Sequence, residues 1–250
     1  MSIYVGSDGI SRTVSKLYAG IDGRSRQVSK VYTGENGKAR LVYQSGSPIS
    51  GLSVGSIVKI AVNGTAMDYI VVHQGKPSAD YDDSCAGTWV LSKDCYVKSA
   101  FGDSNDYESS YVRSYLDDTF FGLLDPEVQS VVKQAKIPYK DSVGIVQSGN
   151  NGLSSKVFLL STTEINFSAS IVLGSSVAYF SDGNSRIAYM DGAATGWWTR
   201  TPTVNDTVNS YCVNLNGFLS AYGRSSNMGV RPTMVLSPEA LVDEDKNVIS

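Results

Sequence analysis

The chain has one histidine and three cysteines in 250 residues, and its formal net charge is only −3. Such a nearly balanced charge argues against a nucleic-acid partner and against binding to an anionic membrane surface. No stretch approaches the roughly 20 apolar residues that a membrane-spanning helix needs. A lone histidine, His73, leaves few routes to a zinc site or to a Ser-His-Asp triad. We therefore predict no catalytic residues, no metal and no cofactor.

The cysteines Cys85, Cys95 and Cys212 cannot all pair with one another. The first residues lack the basic start and apolar run of a secretory signal peptide. This favours synthesis in the cytoplasm and reduced thiols, with a Cys85–Cys95 disulfide as the alternative. The protein could still leave a cell by lysis or as part of a particle.

The first 43 residues form an internal repeat with a period of 14. Tyr, two Gly and Arg keep register through three units, which run over 4–12, 18–26 and 32–40. Each unit contains Asp-Gly or Asn-Gly, a favoured two-residue turn between paired strands. One hairpin of this size is only marginally stable alone, so the units need to pack on something. The repeats predict either a small β-meander on the main domain or an attachment and oligomerisation module.

Residues 44–53 are rich in Gly, Ser and Pro and are predicted to be a linker. Residues 54–237 would then form one domain, and 238–250 a solvated, frayed tail. Alternating patterns predict strands at 55–63 and 67–73 around an Asn63-Gly64 turn, and further strands over 88–92, 95–98, 157–161, 176–180 and 185–189.

Two helices are predicted in the middle of the chain. The first begins at Ser109 or Ser110 and places Val112, Leu116 and Phe120 on one face. The second begins at Asp125-Pro126, where an acidic cap precedes Pro in the first turn. Its apolar stripe is Val128, Val131, Val132 and Ala135, and Ile137-Pro138 would end it.

The stretch from Gly196 to Leu236 contains most candidate binding residues. A polar segment rich in Asn, Tyr and Ser lies between a Trp-Trp strand and an apolar last strand, an arrangement typical of binding surfaces. The candidate ligand-binding residues are Trp197, Trp198, Arg200, Asn205, Asn209, Tyr211, Asn214, Asn216, Tyr222, Arg224 and Asn227. Alternatively, Tyr211, Val213 and Leu215 alternate into the core while Cys212, Asn214 and Asn216 point outward. Arg231 is predicted to be a buried structural arginine paired with a carboxylate.

Acidic pairs occur at Asp82-Asp83, Asp117-Asp118 and Asp103/Asp106. Two carboxylates are the minimum for many hydrolases, yet neighbouring acids in loops or on a helix face are usually solvated. Calcium is the other option for the loop acids. The segment Val204-Asn205-Asp206 shares only its last two residues with the Trp-Asn-Asp motif of lectins that bind sugars through calcium, so we predict no such binding.

The order of elements from Val54 to Leu236 resembles the C-type-lectin-like domains of gut-bacterial and prophage genomes, which are distantly similar to the formylglycine-generating-enzyme fold. The matching segments are Gly55–Val58, Ser110–Phe120, Phe158–Glu164, Gly196–Pro202 and Gly229–Leu236. The resemblance implies an α+β fold, with two helices on a small mixed or antiparallel sheet preceded by β-hairpin repeats. It supplies no catalytic site, and the copper-holding cysteine pair of the formylglycine-type enzymes has no counterpart here.

The N-terminal repeats are similar to those that precede such domains in phage tail-associated proteins. The resemblance therefore implies a virion-associated protein that recognises a bacterial cell-surface protein or glycan, with residues 1–43 contacting tail components or forming a homo-oligomer. Related domains are the variable proteins of diversity-generating retroelements, and five of the 13 Asn fall within 205–227. The alternatives are a hydrolase or oxidase acting at the bacterial surface, and a purely structural virion component.

Overall fold

The computed structural model describes residues 4–7, 10–13, 17–21, 24–28, 30–35, 38–44, 46–141 and 143–250. The chain divides into two compact units between Ser47 and Pro48. In the first unit the described residues form three separate antiparallel hairpins. Their strands are β1 (Tyr4–Ser7), β2 (Ile10–Thr13), β3 (Leu17–Ile21), β4 (Arg24–Val28), β5 (Lys30–Glu35) and β6 (Lys38–Gln44). The predicted turns Asp8-Gly9, Asp22-Gly23 and Asn36-Gly37 lie outside the described residues.

The second unit combines many short strands with a few short helices. The strands are β7 (Ser47–Pro48), β8 (Ile57–Val62), β9 (Thr65–Gly75), β10 (Gly87–Ser92), β11 (Val97–Ser99), β12 (Ala135–Ile137), β13 (Tyr139–Lys140), β14 (Val146–Gln147), β15 (Leu153–Ser155), β16 (Val157–Phe158), β17 (Ala188–Met190), β18 (Ala193–Thr195), β19 (Trp197–Pro202), β20 (Asn209–Val213), β21 (Leu219–Gly223), β22 (Met228–Val230), β23 (Thr233–Leu236), β24 (Leu241–Val242) and β25 (Val248–Ile249). The α-helices are α1 (Tyr111–Ser114), α2 (Phe121–Leu123), α3 (Pro126–Val131) and α4 (Ala178–Ser181). The predicted α+β class is confirmed.

One five-stranded sheet, in the order β16-β23-β10-β9-β8, carries the centre of the core. Its middle strand β10 is buried along its whole length, because both of its faces are covered. Trp89 on this strand packs edge-on against Tyr81 and Phe158, with ring centroids 5.7 and 5.4 Å apart. The predicted turn at Asn63-Gly64 joins β8 to β9, and both of its residues have the positive φ that such turns require.

A second five-stranded sheet runs in the order β11-β22-β19-β20-β21. All six residues of β19 are buried, since this strand lies between β22 and β20. The strand β21 pairs only with β20 within the described residues and forms the edge of the sheet, where its residues are half-buried or exposed. The sheet therefore runs from a buried centre to an exposed edge within two strands.

The first predicted helix is a continuous helical segment from Tyr111 to Leu123, in which a π-helical stretch over Tyr115–Phe120 joins α1 to α2. The Oγ of Ser110 accepts a hydrogen bond from the amide of Arg113 at 3.1 Å, which satisfies a free helix-end donor. The predicted inward face is confirmed, because Val112, Leu116 and Phe120 are fully buried.

The second helix is shorter than predicted. It ends at Val131, and Ala135–Ile137 instead forms the strand β12, which pairs with β15. Alternation and helical periodicity look alike over so few residues. The predicted strand over 176–180 is also wrong, since Ala178–Ser181 is helix α4, whereas in the predicted strand over 185–189 only the last two residues join the strand β17.

The segment after Leu236 is not a frayed tail. It forms the hairpin β24–β25, in which Val242 and Val248 are buried. Asp243 closes the turn by accepting hydrogen bonds from the amide and the side chain of Asn247, at 2.8 and 2.9 Å. The amide of Lys59 on β8 donates to the carbonyl of Lys246 at 2.7 Å. The charged residues 243–246 suggested a solvated tail, but they form a turn, and the valines on either side of it belong to the core.

Candidate functional site

Arg200 is fully buried and forms a two-pronged ion pair with Glu164. Its Nη1 and Nη2 each lie 2.5 Å from a carboxylate oxygen of Glu164, and its Nε and Nη1 donate to the carbonyls of Pro138 and Leu159. The hydroxyl of Tyr81 donates to the same carboxylate at 2.7 Å. Arg200 was predicted to contact a ligand, and this is wrong, because its donors are engaged inside the protein.

The electrostatics of this cluster follow from its burial. Burial alone would lower the pKa of Arg200, but the adjacent Glu164 carboxylate outweighs it, so the pKa is raised and the guanidinium stays charged. Burial, followed by the charge of Glu164, raises the pKa of the Tyr81 hydroxyl, so Tyr81 remains a neutral donor. The cluster is a satisfied ionic core with a structural role.

Trp197 and Trp198 are both fully buried, so their prediction as ligand contacts is wrong as well. The Nε1 of Trp197 donates to the carbonyl of Arg186, and that of Trp198 to the carbonyl of Ser99, each at 2.9 Å. Trp198 also packs edge-on against Phe101. A tryptophan whose indole N–H is satisfied and whose ring is covered stabilises the core and cannot reach a partner.

The remaining candidates lie on the surface hairpin, which we define as residues 203–227: the strands β20 and β21 with the loops on either side and between them. In β20 the buried residues are Ser210, Cys212 and Val213, while Asn209 and Tyr211 are partly exposed. The alternative alternation is wrong for Tyr211, Cys212 and Leu215. It is right for Val213, which is buried, and for Asn216, which is exposed. Cys212 faces the core because it is paired with the buried Trp198 on the neighbouring strand β19, and paired residues point to the same face of a sheet.

The loop before β20 is fixed by Asp206. Its carboxylate accepts hydrogen bonds from the amide of Val208 at 2.8 Å and from the side chain of Asn209 at 2.5 Å. The bonds from Asn209 and Val208 lower the pKa of Asp206 below its ordinary value. Asn105 Nδ2 donates to the Asp206 carbonyl at 2.7 Å and ties the loop to a distant part of the chain. Asn205 is exposed, with a φ of 55°.

The turn between β20 and β21 is fixed by Asn214. Its Oδ1 accepts hydrogen bonds from the amides of Asn216 and Phe218, at 2.9 and 3.1 Å, and Gly217 supplies a φ of 83°. This geometry leaves the side chains of Leu215 and Phe218 in solvent, 55% and 66% exposed. Asn214 therefore acts mainly through the turn that it holds.

The sequence-predicted residues thus fall into three groups. Asn205, Asn216, Tyr222 and Asn227 are exposed; Asn209, Tyr211, Asn214 and Arg224 are partly exposed; Trp197, Trp198 and Arg200 are buried. Arg224 donates to the carbonyl of Thr207 at 2.5 Å and so braces the loop. The prediction missed the exposed apolar residues Val204, Val208, Leu215 and Phe218. The sequence signal that could have identified these residues as exposed was their position, because each lies in or beside a turn rather than within a strand.

The acidic residues hold the backbone in place. Asp117 accepts from the hydroxyl of Ser155 and the amide of Lys156, at 2.6 and 2.8 Å. Asp82 accepts from the amide of Ser84, and Asp103 from the hydroxyl of Tyr111. Across the described ranges, no three His, Cys, Asp or Glu side chains are grouped so that they could hold a metal ion.

His73 and the cysteines also have structural surroundings. The Nδ1 of His73 accepts from the amide of Ala178 at 3.1 Å, and partial burial lowers its pKa. Cys85, Cys95 and Cys212 are free and buried, which raises the pKa of Cys85 and Cys212 to about 12 and that of Cys95 to about 11. Thiols held protonated in this way are poor nucleophiles.

The fold and the candidate site define an α+β protein in which the second five-stranded sheet has a buried centre and ends in the exposed surface hairpin. None of the helices in the described part of the chain has the length and apolar character that crossing a membrane demands. The chain belongs to the family described as Domain of unknown function (DUF6273), whose model matches residues 86–238. Comparison with curated proteins gave no match, and neither did comparison with solved structures.

Proposed function

We propose that the protein is a recognition module that binds a partner on a bacterial cell surface through its surface hairpin. The observation that carries this proposal is a concentration of exposed apolar side chains. Of the twelve large hydrophobic residues exposed in the described chain, five lie between residues 204 and 222: Val204, Val208, Leu215, Phe218 and Tyr222. Val204, Val208 and Tyr222 lie near the start of β20, and Leu215 and Phe218 lie at the turn after it, so exposed apolar side chains occur at both ends of the hairpin. Apolar side chains displayed among polar ones are common at interaction sites.

The rigidity of the hairpin supports the same function. The side chains of Asp206 and Asn214 hold the two loops, and β20 is paired with β19 along the buried side of the sheet. A surface that is already ordered loses little conformational entropy on binding, so more of its contact energy appears as affinity. Tyr211 and Tyr222 add aromatic contact area, and the exposed Asn216 and Asn227 add hydrogen-bonding groups.

The position of the hairpin also fits the C-type-lectin-like resemblance, in which the C-terminal loops carry recognition. In this proposal the second unit is a C-type-lectin-like domain of a prophage tail-associated protein, and residues 1–43 attach it to the tail or to other copies. Of the five clustered Asn residues, Asn209 and Asn214 hold the loops on either side of β20 through their side chains. Asn205, Asn216 and Asn227 are exposed, so diversification by a retroelement at these three positions would change the surface while leaving the fold intact.

The proposed binding function can be tested with two triple variants, each of which changes three exposed apolar residues to Ser. Val208, Leu215 and Phe218 are changed to Ser in the first variant. In the second, Val143, Ile145 and Val146 are changed to Ser; these residues are also exposed and apolar but lie around a different hairpin, β13–β14. Fluorescently labelled proteins are then titrated onto intact gut-bacterial cells, after circular dichroism has shown that both variants are folded.

We expect the first variant to lose at least tenfold in cell binding, since truncating a central apolar anchor costs more than about 1 kcal/mol. The second variant should bind like the natural protein. Equal loss in both variants would indicate non-specific adhesion. Full binding by both would place recognition elsewhere, and no binding by the natural protein would favour a structural component of the particle.

A further inference from the structure

A cavity of about 330 Å³ lies between the start of β8 and the segment that follows α4, and one of its lining residues, Ile187, lies beside Gly217 in the turn of the surface hairpin. Its lining residues are Gly55, Ile57, Ile70, Lys93, Asp94, Tyr179, Ser185, Ile187, Tyr189 and Arg231. The volume is at the lower end of the range for small-ligand sites, which is about 300–1,000 Å³. Most of the lining is apolar or aromatic, and its charged members are one arginine, one lysine and one aspartate.

Arg231 is the unusual member of this lining. It was predicted to be buried and paired with a carboxylate; its burial is confirmed, but the pairing is wrong. Its Nε and Nη2 donate to the carbonyls of Ser92 and Lys93, at 2.8 and 3.0 Å. Its Nη1 is buried without any hydrogen-bond partner, and no carboxylate in the described part of the chain forms an ion pair with it.

A buried guanidinium with a free N–H group is costly unless something completes its hydrogen bonds. Burial lowers the pKa of Arg231 to about 10, which still leaves it charged at neutral pH. The ring of Trp197 lies 5.0 Å from the guanidinium carbon and stabilises the charge, but an aromatic face supplies no acceptor oxygen. Arg200 shows the contrast, because its equally buried guanidinium has the Glu164 carboxylate.

The other charged groups near the cavity are already engaged. Asp94 accepts from the amide of Tyr189 at 3.2 Å, and Lys93 forms an exposed ion pair with Asp68 at 3.3 Å. Asp94 is near enough for its charge to raise the pKa of Arg231 in part, but neither group forms an ion pair with it. The exposed sides of Ile57 and Tyr189 show that the cavity is open to solvent, so a small molecule or a chain end can enter.

We propose that this cavity is a second binding site, which takes a small organic carboxylate or the carboxylate end of a peptide. The carboxylate is attracted by the positively charged guanidinium of Arg231, which lines the cavity, and the apolar body of the ligand packs between Ile57, Ile187 and Tyr189. Arginine suits this task because its planar donors match a carboxylate. This second site does not depend on the function proposed for the surface hairpin.

Calorimetric titration with four probes tests the ligand chemistry. The first two are 3-phenylpropionate and its uncharged amide; the other two are N-acetyl-Gly-Gly-Phe with a free carboxylate and the same peptide with a C-terminal amide. We expect at least one acid to bind, with its amide weaker by on the order of 10- to 100-fold, the loss typical of a charge-assisted hydrogen bond. The acid that binds more tightly identifies the source. Equal binding of acid and amide, or no binding of either acid at millimolar concentration, would overturn the proposal.

Ser185 offers a matched pair of variants at the exposed rim of the cavity. Its Oγ accepts a hydrogen bond from the amide of Ile187 at 3.2 Å, an acceptor role that Asp and Asn can both perform. Ser185→Asp places a negative charge beside the incoming carboxylate, whereas Ser185→Asn adds similar bulk without charge. We expect Ser185→Asp to weaken binding by roughly three- to tenfold, more at low salt, and Ser185→Asn to bind like the natural protein.

Arg231→Met removes the guanidinium and should abolish binding of the acid, provided that thermal melting shows a folded variant. Because that variant is at risk of misfolding, the Ser185 pair remains the deciding comparison. Identical binding by Ser185→Asp and Ser185→Asn would contradict the proposal. The variant Val208→Ser, at the end of the hairpin far from Gly217, should keep full affinity for the acid, which separates this site from the proposed recognition surface.

Discussion

The strand β19 and the surface hairpin are neighbours in one sheet, yet they have opposite roles. Both contain aromatic, arginine and hydroxyl side chains, the composition expected of a binding surface. In β19 these side chains are all buried, because β22 and β20 flank it and the core covers it. The hairpin ends at the edge strand β21, whose residues are all at least partly exposed. Position in the sheet, more than residue type, separates the buried residues from those of the proposed recognition surface.

The three arginines of this region show the same difference. Arg200 in β19 is neutralised by Glu164, and Arg224 in the hairpin braces a loop at the surface. Arg231 is as buried as Arg200 but has no carboxylate partner among the described residues. An arginine side chain thus forms part of an ionic core, supports a loop, or presents an unsatisfied donor, depending on which acceptor groups the neighbouring elements supply.

The largest effect is expected from breaking the ionic core. Arg200→Met leaves the Glu164 carboxylate buried without its partner and should lower the free energy of unfolding by about 3–5 kcal/mol. Urea denaturation of the second unit measures this change. The control is Asn227→Ala in the hairpin, which is expected to change stability by no more than about 0.5 kcal/mol. Equal stability of the two variants would contradict the division between core and surface.

A smaller loss of stability is expected at the second tryptophan. Trp198→Phe removes the hydrogen bond to the carbonyl of Ser99 and leaves a small cavity beside Phe101, so we expect a loss of about 1–3 kcal/mol. Tyr222→Phe, at an exposed position of the edge strand, should be nearly neutral. Thermal melting of both variants makes the comparison, and a larger loss for Tyr222→Phe would reverse the assigned roles.

The loop before β20 should respond to acid through Asp206. The folded pKa of this carboxyl lies below its ordinary value, so its contribution to loop order is full above the ordinary value and is lost as the pH falls through the folded pKa. Exchange of the Val208 amide should therefore show added opening in that acidic window. Asp206→Asn should remove most of this pH dependence, and an unchanged profile in the variant would rule out Asp206 as its source.

The smallest effect is expected at the buried thiol of β20. Burial raises the pKa of Cys212 to about 12, so it should not react with iodoacetamide in the folded protein at pH 8. A cysteine introduced by Ala221→Cys on the exposed edge strand should react readily under the same conditions. Mass spectrometry distinguishes the two positions. Rapid labelling of Cys212 would mean that the hairpin opens from the sheet.

The sequence predicted local features more reliably than long-range ones. The Asn63-Gly64 turn, the Ser110 cap and the buried face of the first helix depend on neighbouring residues, and they were predicted correctly. The burial of Trp197, Trp198 and Arg200 depends on strands and loops far along the chain, including Glu164 and Pro138. No local pattern distinguishes such a strand from an exposed one.

The candidate site was predicted only in part, because the exposure of its side chains also depends on contacts that no local sequence pattern reveals. The segment was identified by its Asn and Tyr content, and most of those residues are at least partly exposed. Its most exposed apolar residue, Phe218, was missed because a lone Phe beside a turn usually points into a core. Only the hydrogen bonds that the turn amides donate to Asn214 show why this side chain faces solvent.

The most direct test of recognition by the hairpin is site-specific photo-crosslinking on bacterial cells. A photoreactive phenylalanine analogue replaces Phe218 in one protein and Ile145, exposed in the other hairpin, in a second. Both are bound to the cells and irradiated, and adducts are resolved by gel electrophoresis and mass spectrometry. We expect a defined adduct from position 218 and none from position 145. An adduct only from position 145, or none from either position while the protein remains cell-bound, would contradict it.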